Sequence, residues 1–136
     1  MSAPDPAERD LIDAARDAQT RAVAPYSHFH VGAALRLRDG RIVTGCNVEN
    51  ATYGLTVCAE RVALLKALSD GEREFTAIAV TADAARPTPP CGACRQLLWE
   101  YCGDIPVIMA NAREVTMRTS LGALLPEPFG PQNLQT

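Results

Sequence analysis

Lysine is almost absent from this 136-residue chain, where Lys66 is the only one. The remaining basic residues are arginines scattered without a run, and the formal net charge is −3. Phosphate backbones are bound by a clustered basic footprint, so this pattern argues against a nucleic-acid partner. Aromatic residues are scarce at 5%, and none interleave with basic ones as they would along a single strand. No apolar run approaches the roughly 20 residues that cross a bilayer, so no membrane partner is expected. The opening residues are polar and acidic, unlike a secretory signal. Internal repeats and low-complexity stretches are also missing. Five cysteines are present, an odd number. Without a signal peptide, that count fits a reducing, cytoplasmic setting and metal binding better than a disulfide framework.

What is there is an ordinary globular balance, 47% hydrophobic and 21% charged. The length predicts one domain over residues 1–136, long enough to bury roughly two thirds of its unfolded surface. Residues 5–22 read as a helix, with Asp5 as N-cap, Pro6 at the first position and Glu8 three residues on. Leu11, Ile12, Ala15, Ala18 and Ala22 supply its apolar spacing. Residues 29–38 and 41–46 read as a hairpin turning at Asp39-Gly40. Residues 58–69 read as a helix whose buried face is Cys58, Val62, Leu65 and Leu68. A β-branched strand is expected over 75–81, a proline-rich loop over 84–90 and a helix over 91–101. Strands over 105–110 and 115–119 and a short helix over 120–125 complete the chain. This order is α/β, with a mixed sheet and helices on both faces.

The chemistry concentrates in two cysteine clusters, Cys58-Ala59-Glu60-Arg61 and Pro90-Cys91-Gly92-Ala93-Cys94-Arg95-Gln96. Cys91 and Cys94 lie three apart at a helix start, so both sulfurs face one side. A helix N-terminus favours anions and hence thiolates. Cys58 opens its own helix in the same way. Three thiolates suit a catalytic zinc, because such a site keeps one position for water. Glu60, two residues past the first ligand, can move that water's protons. Two readings compete. The Cys-x-x-Cys pair could be a redox dithiol, or half of a structural zinc site completed by His28, His30, Cys46 or Cys102. Cys46 and Cys102 read as buried apolar fillers.

These clusters resemble those of the small homotetrameric cytidine deaminases, and other landmarks follow in that family's order. They are Tyr26-Ser27-His28-Phe29-His30-Val31-Gly32-Ala33-Ala34, Gly45-Cys46-Asn47-Val48-Glu49-Asn50-Ala51 and Leu124-Leu125-Pro126-Glu127-Pro128-Phe129-Gly130-Pro131. The resemblance runs from about Tyr26 to Phe129. It implies a three-layer α/β/α fold around a mixed five-stranded sheet. It also implies hydrolytic deamination of free cytidine and 2′-deoxycytidine in pyrimidine salvage, by attack of zinc-bound hydroxide on C4. One zinc per chain would be held by Cys58, Cys91 and Cys94, with Glu60 catalytic and Arg61 donating to the sulfurs. Phe29, Asn47, Glu49 and Ala59 would bind the nucleoside. Phe129 and, in the same manner, Tyr53 would reach a neighbouring subunit's site in a homotetramer. Blasticidin-S deaminases share the cysteine clusters, but the 47–51 segment and the proline-rich tail favour cytidine deaminase. A non-enzymatic zinc-stabilised binding module is the remaining alternative.

Overall fold

The computed structural model describes residues 3–111 and 116–134. Its first helix, α1 (Pro6–Gln19), begins at a reciprocal cap. Asp5 Oδ1 accepts from the Glu8 amide at 2.8 Å, and Glu8 Oε1 accepts from the Asp5 amide at 3.0 Å. Two otherwise orphaned donors are thereby satisfied. The helix ends before Ala22. Thr20 closes it by donating its hydroxyl to Asp17 O at 2.6 Å. The chain then turns outward so that Val23 can bridge Val48.

The hairpin forms as expected from β1 (Val31–Leu37) and β2 (Ile42–Cys46). Gly40 in its turn sits at φ +95°, a conformation that favours glycine. The other strands are β3 (Phe75–Ala82), β4 (Pro106–Asn111) and β5 (Thr116–Ser120). Val115, expected to open the last strand, lies outside the described residues. The sheet order is β2-β1-β3-β4-β5. Among the described strands β3 and β4 run parallel and the other neighbours antiparallel, so the sheet is mixed. The remaining helices are α2 (Ala59–Ser69), α3 (Gly92–Cys102) and the short α4 (Leu121–Leu124).

Each face of the sheet has its own core. Leu11, Ile12 and Ala15 of α1 pack on Ala34, Ala79 and Ile108. On the other face Ala63 and Leu64 of α2 and Leu98 of α3 cover Leu35, Ile78 and Val107. The result is the three-layer α/β/α arrangement.

The buried face of α2 differs from the expected one. Ala59, Glu60, Ala63, Leu64 and Ala67 point inward, and Leu65 is left 49% exposed. The cause is a close backbone approach. A Cβ on Gly45 would lie 2.5 Å from both Ala59 O and Ala63 N, so α2 sits directly on β2 through an alanine stripe. Gly32 does the same for α1, since a Cβ there would meet Ala15 O at 1.9 Å. Glycine opposite alanine thus decides which face turns inward, and with it the direction in which Glu60 points.

Candidate metal centre and substrate cavity

Cys58 and Cys91 are the N-cap residues of α2 and α3, with extended backbones and side chains that make no capping hydrogen bond. Their sulfurs are therefore free to meet. Cys94, in the first turn of α3, is fully buried. The three sulfurs lie within 4.8 Å of one another, and Cys58 Sγ is 3.9 Å from Cys91 Sγ. Three sulfurs at ~2.3 Å from a tetrahedral zinc would stand about 3.8 Å apart, so the cluster fits that ion. Among the described residues no histidine, carboxylate or further cysteine joins this cluster. His28, His30, Cys46 and Cys102 thus supply no fourth ligand. Cys46 and Cys102 are half-buried rather than sealed in the core. Cys46 Sγ lies 3.4 Å from Arg21 O, and burial pushes the Cys102 thiol up to about 12.

Electrostatics act on two of the cluster's thiols in opposite directions. Hydrogen bonding from Cys94 is the largest influence on the Cys58 thiol. It and the Arg61 charge bring that thiol down to about 5, against the opposing effect of burial. Cys94 is pushed upward in exchange, because it serves as the donor. Arg61 is anchored by its Nη2 donating to Thr56 O at 2.7 Å, while its Nε is buried without a partner. A buried guanidinium nitrogen without a partner beside three sulfurs is what an anionic metal site would satisfy.

Glu60 is the second residue of α2 and is only 4% exposed. Burial is the main cause that raises its carboxyl to about 7, and the charge of Cys58 adds to the rise. Its own backbone amide, Cys94 and Arg61 work in the opposite direction. It lines a cavity of about 200 Å³ together with Phe29, Asn47, Cys58, Ala59 and Cys91. Val31, Thr56, Val57, Val80, Thr88 and Pro89 complete the wall. Most of this lining is apolar, with a few convergent polar groups, which is the usual make-up of a small-molecule site.

Asn47 and Glu49 flank Val48 and open into neighbouring clefts that share Thr56. Asn47 is buried, and its amide braces the cavity wall. Its Nδ2 donates to Phe29 O at 2.7 Å and its Oδ1 accepts from the Val31 amide at 2.9 Å. Glu49 accepts from the Tyr26 and Ser27 amides at 3.0 and 3.1 Å, and also from the Ser27 hydroxyl. These bonds, with the hydroxyl first, hold its carboxyl below the usual range. No sequence signal marks the bracing role of Asn47, because only the fold brings residue 47 against residues 29 and 31.

Tyr53 is 76% exposed and meets Tyr26 edge-on, with ring centroids 6.3 Å apart. Phe129 is 57% exposed, and its carbonyl accepts from Gln96 Nε2 at 2.6 Å. Neither ring lines the cavity of its own chain.

Comparison with known proteins places these features in context. The signature of the cytidine and deoxycytidylate deaminase zinc-binding region matches residues 6–110. A cytidine deaminase of Halalkalibacterium halodurans is 49% identical over 125 residues, covering 91% of this chain and 95% of the relative. One from Sporosarcina psychrophila is 48% identical over 125 residues, covering 91% and 92%. The crystal structure of a cytidine deaminase from Burkholderia pseudomallei superposes with a TM-score of 0.87 at 49% identity, over 89% of this chain and 98% of that one.

Proposed function

The chain belongs to the cytidine and deoxycytidylate deaminase family and is a zinc-dependent deaminase; from that premise we propose that it hydrolyses free cytidine and 2′-deoxycytidine to the uridine nucleosides and ammonia, in cytoplasmic pyrimidine salvage. The observation that carries this reading is the buried Glu60 beside three converging sulfurs at one end of an apolar cavity. Cys58, Cys91 and Cys94 are the residues that would hold one zinc per chain. When bound, the ion supplies Lewis acidity that makes a ligated water a nucleophile near neutral pH.

The rest of the work falls to side chains. Glu60 accepts the proton that the attacking water gives up and passes it to ring N3, so that C4 becomes electrophilic. It then takes the proton of the hydroxyl now on C4 and carries it to the departing amino group, so the C4=O bond forms as the C4–N bond breaks and ammonia leaves. A carboxyl raised by burial toward neutrality can both take and give a proton at working pH. Arg61 offsets the charge of three thiolates. Phe29 packs against the base and Ala59 contributes a wall. Asn47, which still has one N–H and one lone pair beyond its bracing bonds, and Glu49 receive the ribose.

A nucleoside panel with ammonia detection tests the reading. Cytidine and deoxycytidine are expected to be turned over efficiently. Free cytosine, which leaves the sugar-binding groups unpaired, is expected to be a very poor substrate. Efficient use of cytosine, or faster turnover of blasticidin S than of cytidine, overturns the assignment.

Assembly belongs to the same proposal. Phe129 and Tyr53 are large apolar groups left in water by the single chain. Exposed apolar side chains clustered near a site often mark an interface. Both are assigned to a neighbouring subunit's cavity in a homotetramer. Sedimentation at assay concentration is expected to give a tetramer, and truncation before Phe129 to impair activity while zinc stays bound. A fully active monomer would refute the shared site.

A further inference from the structure

Behind the cavity, on the α1 side, lies a group of polar residues that the proposed chemistry leaves idle: Gln19, His30 and Asp83. We propose that Asp83, acting through His30, is a positioning residue that locks two walls of the substrate cavity against each other. The inference rests on the reading of that cavity as the pyrimidine site.

The two walls come from separate parts of the chain. One is the segment entering β1, where Phe29 and Val31 line the cavity and His30 lies between them. The other is the segment leaving β3, which begins at Asp83 and carries Thr88, Pro89 and Cys91 into the same cavity. The first wall is gripped from the inside by Asn47, which holds Phe29 O and the Val31 amide. On the outside Val31 pairs with Ala82 in the β1–β3 ladder, and one residue further out Asp83 extends that hold to His30. Asp83 Oδ2 is 2.8 Å from His30 Nδ1, and the Asp83 amide donates to His30 O at 3.3 Å. Its other oxygen accepts from Gln19 Nε2 at 2.8 Å. One carboxylate thus ties the end of α1, the entry of β1 and the exit of β3.

Two further facts give this latch a purpose. His28, just before the clamped residues, sits at φ +57°, where non-glycine residues are uncommon. Such a conformation persists when its surroundings hold it. The His30–Asp83 pair is also 41% and 46% exposed. Exposed pairs contribute little to global stability, so a role in folding energy is a poor explanation. Fixing the position of Phe29 relative to Thr88 and Pro89 is a better one, because small displacements in a binding site are felt in binding.

The experiment uses the full-length zinc-loaded enzyme and the variants Asp83→Ala, Asp83→Asn, His30→Ala and the double alanine variant. KM and kcat for cytidine, zinc per chain, and amide hydrogen exchange over residues 28–31 and 84–90 are measured. Asp83→Ala is expected to raise KM roughly five- to tenfold with kcat within about twofold, the loss of both carboxylate bonds, to His30 and to Gln19, read in binding. Zinc content should not change, and exchange in both segments should accelerate. Asp83→Asn keeps an acceptor for Gln19 and a polar partner for Nδ1, so KM should return to within about twofold of the parent. The double variant should be no worse than Asp83→Ala alone, because removing Asp83 already breaks every bond that its carboxylate makes to His30. An unchanged KM in Asp83→Ala, an Asp83→Asn variant as impaired as the alanine, or multiplying effects in the double variant would each overturn the latch. A parent enzyme inert toward cytidine would instead overturn the functional reading. The exchange data would then decide the latch by themselves.

Discussion

Glu60→Gln is expected to abolish practical turnover while leaving the protein folded and zinc-loaded. The side chain is nearly sealed from solvent, and burial has already raised its carboxyl to about 7. Glutamine matches it in size and hydrogen-bonding reach, so neither a cavity nor a clash results. What disappears is the capacity to take a proton and return it. General acid–base groups are typically worth ~10²–10⁴ in rate, and one that serves several transfers in a cycle should reach the upper part of that range or pass it. The comparison is clean because Glu60 belongs to no ligand set, so zinc per chain should equal the parent's. Single-turnover and steady-state rates on cytidine, taken with metal analysis, decide the matter. A zinc-replete Glu60→Gln enzyme within a few-fold of the parent would remove Glu60 from the proton pathway.

The two cysteine clusters were legible because their chemistry is local. Cys91 and Cys94 are set by spacing on one helix, and the thiolate preference of a helix start needs no tertiary information. The capping box at Asp5 and the Asp39-Gly40 turn were legible for the same reason. The buried face of α2 was not. A pattern of large apolar residues pointed to Val62, Leu65 and Leu68; Val62 and Leu68 are half-buried at the edge and Leu65 is exposed, whereas the centre of the inward face is Ala59, Glu60, Ala63, Leu64 and Ala67. Only the glycine at position 45 of another strand makes that face the better fit. Sequence periodicity weighs side-chain size and cannot register a backbone approach between distant elements. The bracing of Phe29 by Asn47 and the Asp83 carboxylate shared by three elements are hidden for a related reason. Each joins residues many positions apart, and polar groups at a cavity rim follow no period.

Cys91→Ala is expected to strip most of the zinc while leaving the helix that carries it intact. Cys91 is the N-cap of α3, yet its side chain makes no capping bond, so alanine removes a sulfur and no support. Two sulfurs would remain, Cys58 and Cys94, the second of them fully buried. Loss of an outer partner of a metal ligand typically costs about 10–100-fold in affinity, and loss of a ligand itself should cost more. Metal bound to the native state alone stabilises by mass action, about 2.7 kcal/mol at a hundredfold excess over Kd. Cys91→Ala should therefore also melt at a lower temperature than the zinc-loaded parent and close to the parent stripped by a chelator. Cys46→Ala and Cys102→Ala remove thiols outside the cluster and should keep full zinc. Chelator competition and metal analysis across the three variants separate a ligand from a bystander. Full zinc in Cys91→Ala would mean that two sulfurs and water suffice, and the three-thiolate centre would have to be abandoned.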